Sequence, residues 1–244
     1  MPLGSWGAAL LDAASSPYLR AGSGLFAYFF ARGKLRLDPV YRALLERGLL
    51  IGRSRILDLG CGQGLLAAWL RAAARMHDHG EWPDSWPAPP RPASIRGIEL
   101  MPREVERARL ALDADLDIQA GDIRHADFGT ADAVVVLDVL QYLDPPSQSA
   151  VLHRIRAALP DDGLLLLRVG DAGAGLRFRY THWVDRLVMR LRGHVGGPCH
   201  CRSVTQWRAM LRECGFATSA LPMSYGTPFA NVLIVAGATR GAQP

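Results

Sequence analysis

An acid followed by a run of glycines is the feature of this sequence whose spacing most clearly suggests chemistry. In RILDLGCGQGLL (residues 55–66), Asp58 lies two residues before Gly60, and Gly62 and Gly64 follow at alternate positions. Glycines let a backbone turn tightly and approach a ligand closely. A carboxylate at position 58 would repel a phosphate and attract an ammonium group. The stretch therefore predicts a turn that binds a ligand carrying a positive charge rather than a pyrophosphate.

The elements that must position this turn alternate along the chain. Continuous apolar strands alternate with helices, which is typical of a parallel sheet covered on both faces. The predicted strands are 55–59, 94–100, 116–123, 132–138 and 163–170, and the predicted helices between and after them are 63–75, 103–112, 146–159 and 204–216. TSALPMSY and FANVLIVAGA predict a final hairpin. We expect an α/β fold, a doubly wound Rossmann-like sheet of seven strands, mostly parallel with an antiparallel C-terminal strand.

The chain divides into a helical N-terminal part and the alternating part. Residues 1–50 are expected to form a helical cap or lid, with a helix over 38–50 capped by Asp38. Residues 51–244 form the main domain, with insertions at about 77–94 and 171–203. The first insertion holds five prolines and two tryptophans and excludes regular structure. A surface loop explains it better than an interdomain linker, because one fold continues on either side.

Composition places the chain among globular proteins. It has 244 residues, 49% of them hydrophobic and 21% charged, and a formal net charge of +5. Almost all of the positive charge is arginine spread along the chain, so we do not take it as a nucleic-acid or membrane surface. Four cysteines are too few for a disulfide scaffold. No apolar run approaches the roughly 20 residues needed to span a bilayer, and we expect a cytoplasmic protein.

LDLGCGQG resembles motif I of the class I S-adenosylmethionine-dependent methyltransferases, and the resemblance extends over about residues 50–236. S-adenosylmethionine carries an ammonium group and no phosphate, which agrees with the acid before the turn. The resemblance implies this cofactor and a binding role for the turn residues, which are Asp58, Gly60, Cys61, Gly62, Gln63 and Gly64.

Three later stretches resemble further motifs of the family. GIEL (97–100) implies that Glu99 bonds the ribose hydroxyls, with Leu100 beside it, although Glu99 follows Asp58 by 41 residues, about twice the family's usual spacing. The proline-rich insertion accounts for the excess. AGDI (120–123) and VVVLDVLQYL (134–143) imply adenine contacts and contacts to the methionine part, and the residues concerned are Asp122, Ile123, Leu137 and Asp138. In ARGKLR, a basic residue is expected to meet the cofactor's carboxylate, and the candidates are Arg32, Lys34 and Arg36.

Methyl transfer from a sulfonium needs chiefly a positioned nucleophile, and a base only where that nucleophile must lose a proton. The candidate bases are His182, Tyr180, Asp138 and His200. Aromatic residues and arginines near His182 suit a small-molecule acceptor, aromatic or similar to a polyketide or fatty acid, free or bound to a carrier. The N-terminal stretch also resembles bacterial methyltransferases of aryl-polyene pigment pathways.

Other kinds of function remain open at this point. An RNA or DNA acceptor is disfavoured because Asp144, Pro145 and Pro146 come too late after the fourth strand and are followed by serine. An NAD-dependent oxidoreductase is disfavoured by the acid and the glycine spacing. A non-catalytic cofactor-binding protein stays an alternative, because none of the candidate bases is identified as the catalytic one. In GGPCHC (196–201) the possible ligands lie too close together for a usual zinc pair, so no metal site is predicted.

Overall fold

Seven strands form one mixed sheet in the computed structural model, which describes residues 5–19, 23–112, 116–174, 199–224 and 230–239. The strand order is β3-β2-β1-β4-β5-β7-β6. The strands are β1 Arg55–Leu59, β2 Ser94–Glu99, β3 Asp117–Ala120, β4 Ala133–Leu137, β5 Leu164–Gly170, β6 Phe216–Pro222 and β7 Asn231–Ala238. The helices are α1 Ser5–Ser15, α2 Gly24–Leu37, α3 Pro39–Glu46, α4 Leu65–Asp78, α5 Pro102–Ala111, α6 Pro145–Ala158 and α7 Val204–Glu213.

The chain divides into two compact units, Met1–Ala126 and Asp127–Pro244. In the first unit, β1, β2 and β3 pair in parallel, with Asp58 opposite Gly97 and Glu99 opposite Ala120. β1 is buried at every position after its first residue, as an inner parallel strand requires. The register brings the carboxyl ends of three strands to one edge of the sheet, where ligands bind in such folds.

In the second unit, β4 and β5 pair in parallel, and β7 pairs antiparallel with both β5 and β6. The predicted fold class is thus confirmed, including the final antiparallel strand. Trp207 of α7 is fully buried in this unit. The helix starts also follow their sequence signals: Asp144 accepts from the amide of Ser147 at 2.8 Å, and Ser203 forms a capping box with Gln206.

The proline-rich segment has no helix or strand between His79 and Ala93, because proline lacks the amide that both need. Trp82 and Trp86 instead pack against Trp6 of α1, with ring centroids 6.2 and 4.6 Å from it. The guanidinium of Arg42 in α3 lies 5.6 Å from the centre of the Trp86 ring. The segment therefore fastens the N-terminal helices within the first unit. Of the helices that the structure describes, none combines the length and hydropathy needed to cross a bilayer.

Candidate functional site

The glycine turn between β1 and α4 has an unusual backbone conformation. Gly60, Gly62 and Gly64 have φ angles of 73°, 56° and 79°, a region that residues with a Cβ rarely enter. The amide of Gly60 donates to the carbonyl of Ile98 at 2.8 Å, which ties the turn to β2. A Cβ on Gly62 would have no atom within 4 Å. The turn is thus anchored at its start and leaves space at Gly62.

Asp58 and Glu99 bring two carboxylates to neighbouring strand ends. They are 6% and 9% exposed. Glu99 accepts hydrogen bonds from the amides of Gly62 at 2.8 Å and Met101 at 2.9 Å, so both of its oxygens are positioned. Burial, and after it the charge of Glu99, raises the pKa of Asp58 from 3.8 to about 7. A cation here would stabilise the ionised form of Asp58, whereas a phosphate would face two carboxylates.

Close packing explains two other residues of the turn. A Cβ on Gly64 would lie 2.6 Å from the Cδ1 of Leu112, and a Cβ on Gly97 would lie 2.6 Å from the Sγ of Cys61. The turn therefore sits directly against β2 and the end of α5. Burial, followed by the charges of Asp58 and Glu99, raises the pKa of the Cys61 thiol well above its ordinary value. A thiol held in its protonated form contributes packing and is a poor nucleophile.

Gln63 connects the turn to the N-terminal helices. Its Nε2 donates to the carbonyl of Ala27 in α2 at 2.8 Å, and its own carbonyl accepts from the Tyr18 hydroxyl at 2.8 Å. The side chains of Gln63 and Tyr18 are fully buried. Burial raises the pKa of Tyr18, so its phenol stays protonated and acts as a donor. Among the described residues, the Gln63 Oε1 has no hydrogen-bond partner. Buried acceptors are normally satisfied, so this atom fits a ligand that supplies a donor.

The residues after β2 and β3 reach the same edge of the first unit. The amide of Gly121 donates to the carbonyl of Glu99 at 2.9 Å. Ile123 is buried, whereas Leu100 is 56% exposed. The Nη2 of Arg124 donates to Asp122 at 2.6 Å, and this hydrogen bond is the main reason that the pKa of Asp122 lies below its ordinary value. Asp122 is therefore an ionised acceptor, and its contact to a cofactor stays a prediction.

Two basic side chains of α2 form ion pairs with acids of the N-terminal part of the chain. The Nζ of Lys34 lies 2.8 Å from an oxygen of Asp38, one helical turn later, and Arg32 pairs with Asp12. Arg36 is exposed. Asp38 is the predicted helix cap and also accepts from the amide of Val40 at 3.1 Å. A role for Lys34 or Arg36 in binding a carboxylate stays a prediction, and for Lys34 it requires exchange of its present partner.

In the second unit, Asp138 directly follows Leu137 at the end of β4. It has a φ of 60°, the only positive value at a non-glycine residue among those described. The Nε of Arg168 donates to its Oδ1 at 2.8 Å, and a second contact joins the Nη2 of Arg168 to Oδ2. Arg168 is fully buried. Protonation of Asp138 would remove the negative charge that faces the buried guanidinium of Arg168, which opposes a general-base role and favours a positioned carboxylate.

A polar network supports the residues after β4, and sequence reasoning missed it. The Nε2 of Gln148 donates to the carbonyls of Leu140 and His200 at 3.0 and 2.8 Å, and its Oε1 accepts from Arg202 at 2.7 Å. The amide of His200 donates to the carbonyl of Gln141 at 2.7 Å. The signal in the sequence was indirect, since it consists only of a glutamine on the buried face of α6.

Two of the predicted catalytic residues, Tyr180 and His182, lie outside the described residues. His200, another candidate base, is among the described residues, and its amide and carbonyl form hydrogen bonds with Gln141 and Gln148. Within the described ranges, no cluster of three His, Cys, Asp or Glu side chains offers a metal site.

A family model described as a methyltransferase domain matches residues 29–221. Among curated proteins, the chain is similar to a carboxy-S-adenosyl-L-methionine synthase of Chromohalobacter salexigens, with 36% identity over 129 residues. That alignment covers 51% of this chain and 42% of the relative, so it spans less than half of the relative's length. The enzyme of the same name from Salmonella typhimurium is 27% identical over 234 residues, which is 85% of this chain and 89% of the relative.

Solved structures show the same fold at low identity. An O-methyltransferase family protein from Burkholderia thailandensis has a TM-score of 0.62 and 18% identity, covering 93% of this chain and 63% of that one. An O-methyltransferase from neocarzinostatin biosynthesis, in complex with S-adenosyl-L-homocysteine and 1,4-dihydroxy-2-naphthoic acid, has a TM-score of 0.55 and 21% identity. That alignment covers 93% of this chain and 60% of the other.

Proposed function

This chain belongs to the methyltransferase domain family, and from that premise we propose that it transfers a methyl group from S-adenosylmethionine to a small-molecule acceptor. The family, the seven-stranded fold and the cofactor class predicted from the sequence are confirmed. The observation that carries the proposal is the pair of buried carboxylates, Asp58 and Glu99, at adjacent strand ends beside an open glycine turn.

The polar groups of the first unit fit this cofactor. Ionised Asp58 and the Oε1 of Gln63, which has no partner within the described part of the chain, are acceptors suited to an ammonium group. Glu99, fixed by two backbone amides, is suited to accept from a pair of hydroxyls. The open space at Gly62 admits a ligand close to the backbone. Asp122 and the buried Ile123 follow β3 and supply a polar and an apolar group for a purine.

S-adenosylmethionine, when bound, supplies a methyl group already activated by its sulfonium. The protein's task is then to hold an acceptor atom in line with that methyl and to exclude water. The residues after β4 suit this task in the second unit: Asp138 is fixed by Arg168, and Gln141 is 4% exposed with its Oε1 unpartnered among the described residues. We assign the acceptor-positioning role to this segment. The contact of Leu137 to the methionine part of the cofactor stays a prediction.

An aromatic acceptor, or one resembling a polyketide or fatty acid, is the preferred substrate class. The similarity to a methyltransferase that binds a dihydroxynaphthoic acid supports a ring bearing hydroxyl or carboxyl groups. The proposal includes an acceptor of this kind that is bound to a carrier. His182 and Tyr180 remain the proposed proton acceptors.

A second candidate is favoured by the names of the sequence relatives. Two carboxy-S-adenosyl-L-methionine synthases, one aligned over 85% of this chain, match it. Such an enzyme alters the cofactor itself, so the same carboxylate pair would hold it and no methyl acceptor would be needed. The two candidates differ in product rather than in the cofactor site.

Calorimetric titration with S-adenosylmethionine and S-adenosylhomocysteine tests the cofactor site. We expect micromolar dissociation constants for the wild type and at least tenfold weaker binding for Asp58→Ala and Glu99→Ala. Arg91→Ala, which removes an exposed ion pair to Asp78, is the matched control and should bind as the wild type does. No binding to the wild type would overturn the proposal.

Mass spectrometry of the reaction products, both the nucleoside and the acceptor, then distinguishes the two candidate functions. Incubation with a set of hydroxylated aromatic acids should yield S-adenosylhomocysteine and a methylated acid. A carboxylated cofactor formed in cell extract, with no acceptor methylated, would instead establish the second candidate.

A further inference from the structure

Two cysteines outside the proposed cofactor site lie close together in the second unit. Cys199 and Cys201 flank His200, are partly exposed, and have their Sγ atoms 3.3 Å apart. The other two thiols of the chain differ. Cys61 and Cys214 are buried, and burial raises the pKa of each. Only the Cys199–Cys201 pair combines access for a reagent with a neighbouring thiol among the residues that the structure describes.

We propose that the Cys199–Cys201 pair is a redox-active dithiol that a low-molecular-weight disulfide oxidises to a disulfide bridging the two residues. The thiolate of one cysteine attacks the reagent and releases one thiol, leaving a mixed disulfide. The thiolate of the other cysteine then displaces the second half of the reagent. The pair loses two protons and two electrons in total, and the reagent is reduced to two thiols.

The distance between the sulfurs is suited to this exchange. A disulfide bond is about 2.05 Å long and needs Cα atoms about 4.4–6.8 Å apart. Residues two apart are separated by at most about 7 Å even in an extended chain, so the Cα atoms of the pair meet this limit in all but a fully extended segment. Bond formation must shorten the present 3.3 Å separation by about 1.3 Å.

Closing the bridge acts on the residues after β4. The peptide groups on either side of His200 are held to this segment, since its amide donates to Gln141 at 2.7 Å and its carbonyl accepts from Gln148 at 2.8 Å. Rotation of these groups when the sulfurs join lengthens at least one of the two hydrogen bonds. Gln148 also binds the carbonyls of Leu140 and Leu143. Oxidation is therefore transmitted to residues 140–143, which carry the proposed acceptor-positioning role.

A metal site explains the pair less well. Two sulfurs provide half of a usual tetrahedral zinc site, and the described residues supply no third ligand from a histidine, cysteine or acid. The chemistry of two adjacent thiols thus favours exchange over coordination.

Peptide mass spectrometry of the full-length protein tests the proposal. Residues 193–202 form a single tryptic peptide that holds both cysteines. The reduced protein is equilibrated with mixtures of reduced and oxidised glutathione, quenched with acid, alkylated and digested. We expect this peptide to lose two hydrogens and accept no alkyl group in oxidising mixtures, and to recover both thiols in dithiothreitol.

Variants assign the result to the pair. Cys199→Ser and Cys201→Ser should each give one glutathione adduct on the peptide, whereas Cys214→Ser should behave as the wild type. Two alkylated cysteines in every mixture, two glutathione adducts on one peptide, or a copurifying metal ion that protects both thiols would each overturn the proposal.

Hydrogen exchange tests the link to the strand end without relying on activity. The His200 amide should exchange at least tenfold faster in the oxidised than in the reduced wild type, because its bond to Gln141 is strained or lost. The Cys199→Ser variant should show no change in the same mixtures. An unchanged His200 exchange rate in protein proven to be oxidised would overturn the transmission to residues 140–143.

Discussion

Asp58 and Glu99 lie at the carboxyl ends of neighbouring parallel strands, and the charge of Glu99 adds to burial in raising the pKa of Asp58 to about 7. The surroundings of Asp58 thus disfavour the ionised form of its carboxyl group. A ligand that brings a positive charge removes the penalty, while a phosphate increases it. The two carboxylates therefore favour a positively charged ligand over a phosphate, whatever the shape of the ligand.

Replacement of Asp58 should raise stability and lower cofactor affinity together. A rise in pKa from 3.8 to about 7 corresponds to about 4 kcal/mol. Because the pKa of Asp58 is higher in the folded state, the contribution of its protonated form to the free energy of unfolding is present below pH 4. That contribution is lost as the pH rises through 7. Asp58→Asn should therefore be more stable than the wild type at pH 8 and show little difference at pH 4. Urea unfolding at both values measures this, and equal effects at the two would contradict it.

Cofactor binding should release a proton near neutral pH. An ammonium group favours ionised Asp58, whose pKa in the free protein is about 7, so affinity should fall up to about tenfold for each pH unit below 7. Titration calorimetry at pH 6 in two buffers of different ionisation enthalpy counts the protons released. Asp58→Asn is the control and should release none. A wild type that releases no more protons than this variant would argue against contact between Asp58 and the ammonium group.

Most strands could be predicted from the sequence because buried parallel strands are continuous apolar runs. Residues 55–59 match β1, whereas the predicted strand 116–123 is longer than β3. β3 spans only Asp117–Ala120, and the amide of Gly121 makes the last ladder bond, to the carbonyl of Glu99. The acids at strand ends were predictable for the same reason, since chain order fixes which ends meet at one edge.

Contacts between distant parts of the chain were not predictable. The Tyr18 hydroxyl meets the carbonyl of Gln63, 45 residues away, and the guanidinium of Arg168 meets Asp138, 30 residues away. In neither pair are the two residues close enough in sequence for the position of one to predict the other. An arginine within the apolar run of β5 does indicate that a partner is needed, but only the strand register identifies it. The proline-rich segment was predicted as irregular, but its packing on Trp6 was not.

Alanine at two glycines of the turn should have unequal effects. Gly62 and Gly64 both have positive φ angles, so each substitution carries backbone strain of about 1–2 kcal/mol. A Cβ on Gly64 would also lie 2.6 Å from Leu112, whereas one on Gly62 meets open space. We expect Gly64→Ala to cost about 2 kcal/mol more than Gly62→Ala in urea unfolding, because overpacking adds to the strain. Equal costs would contradict the packing seen against Leu112.

Removal of the Tyr18 hydroxyl should loosen the first unit. Tyr18→Phe leaves the carbonyl of Gln63 without its buried donor, and such a loss costs about 1–3 kcal/mol. Tyr142→Phe, at a side chain that is 38% exposed, is the matched control and should change stability by less than about 0.5 kcal/mol. Thermal unfolding of the two variants provides the comparison. A Tyr18→Phe protein as stable as the control would show that water replaces the hydroxyl.

The ion pair between Asp138 and Arg168 should behave as a coupled unit. Asp138→Asn keeps a residue that tolerates the φ of 60° but removes the carboxylate charge that faces the fully buried guanidinium of Arg168, at a cost of about 3–5 kcal/mol. Arg168→Met in the same background removes the buried cation and should recover at least half of that loss. A double-mutant cycle by urea unfolding measures the coupling. Additive effects would mean that Asp138 is held by its backbone alone, in which case its carboxylate would be available as a base.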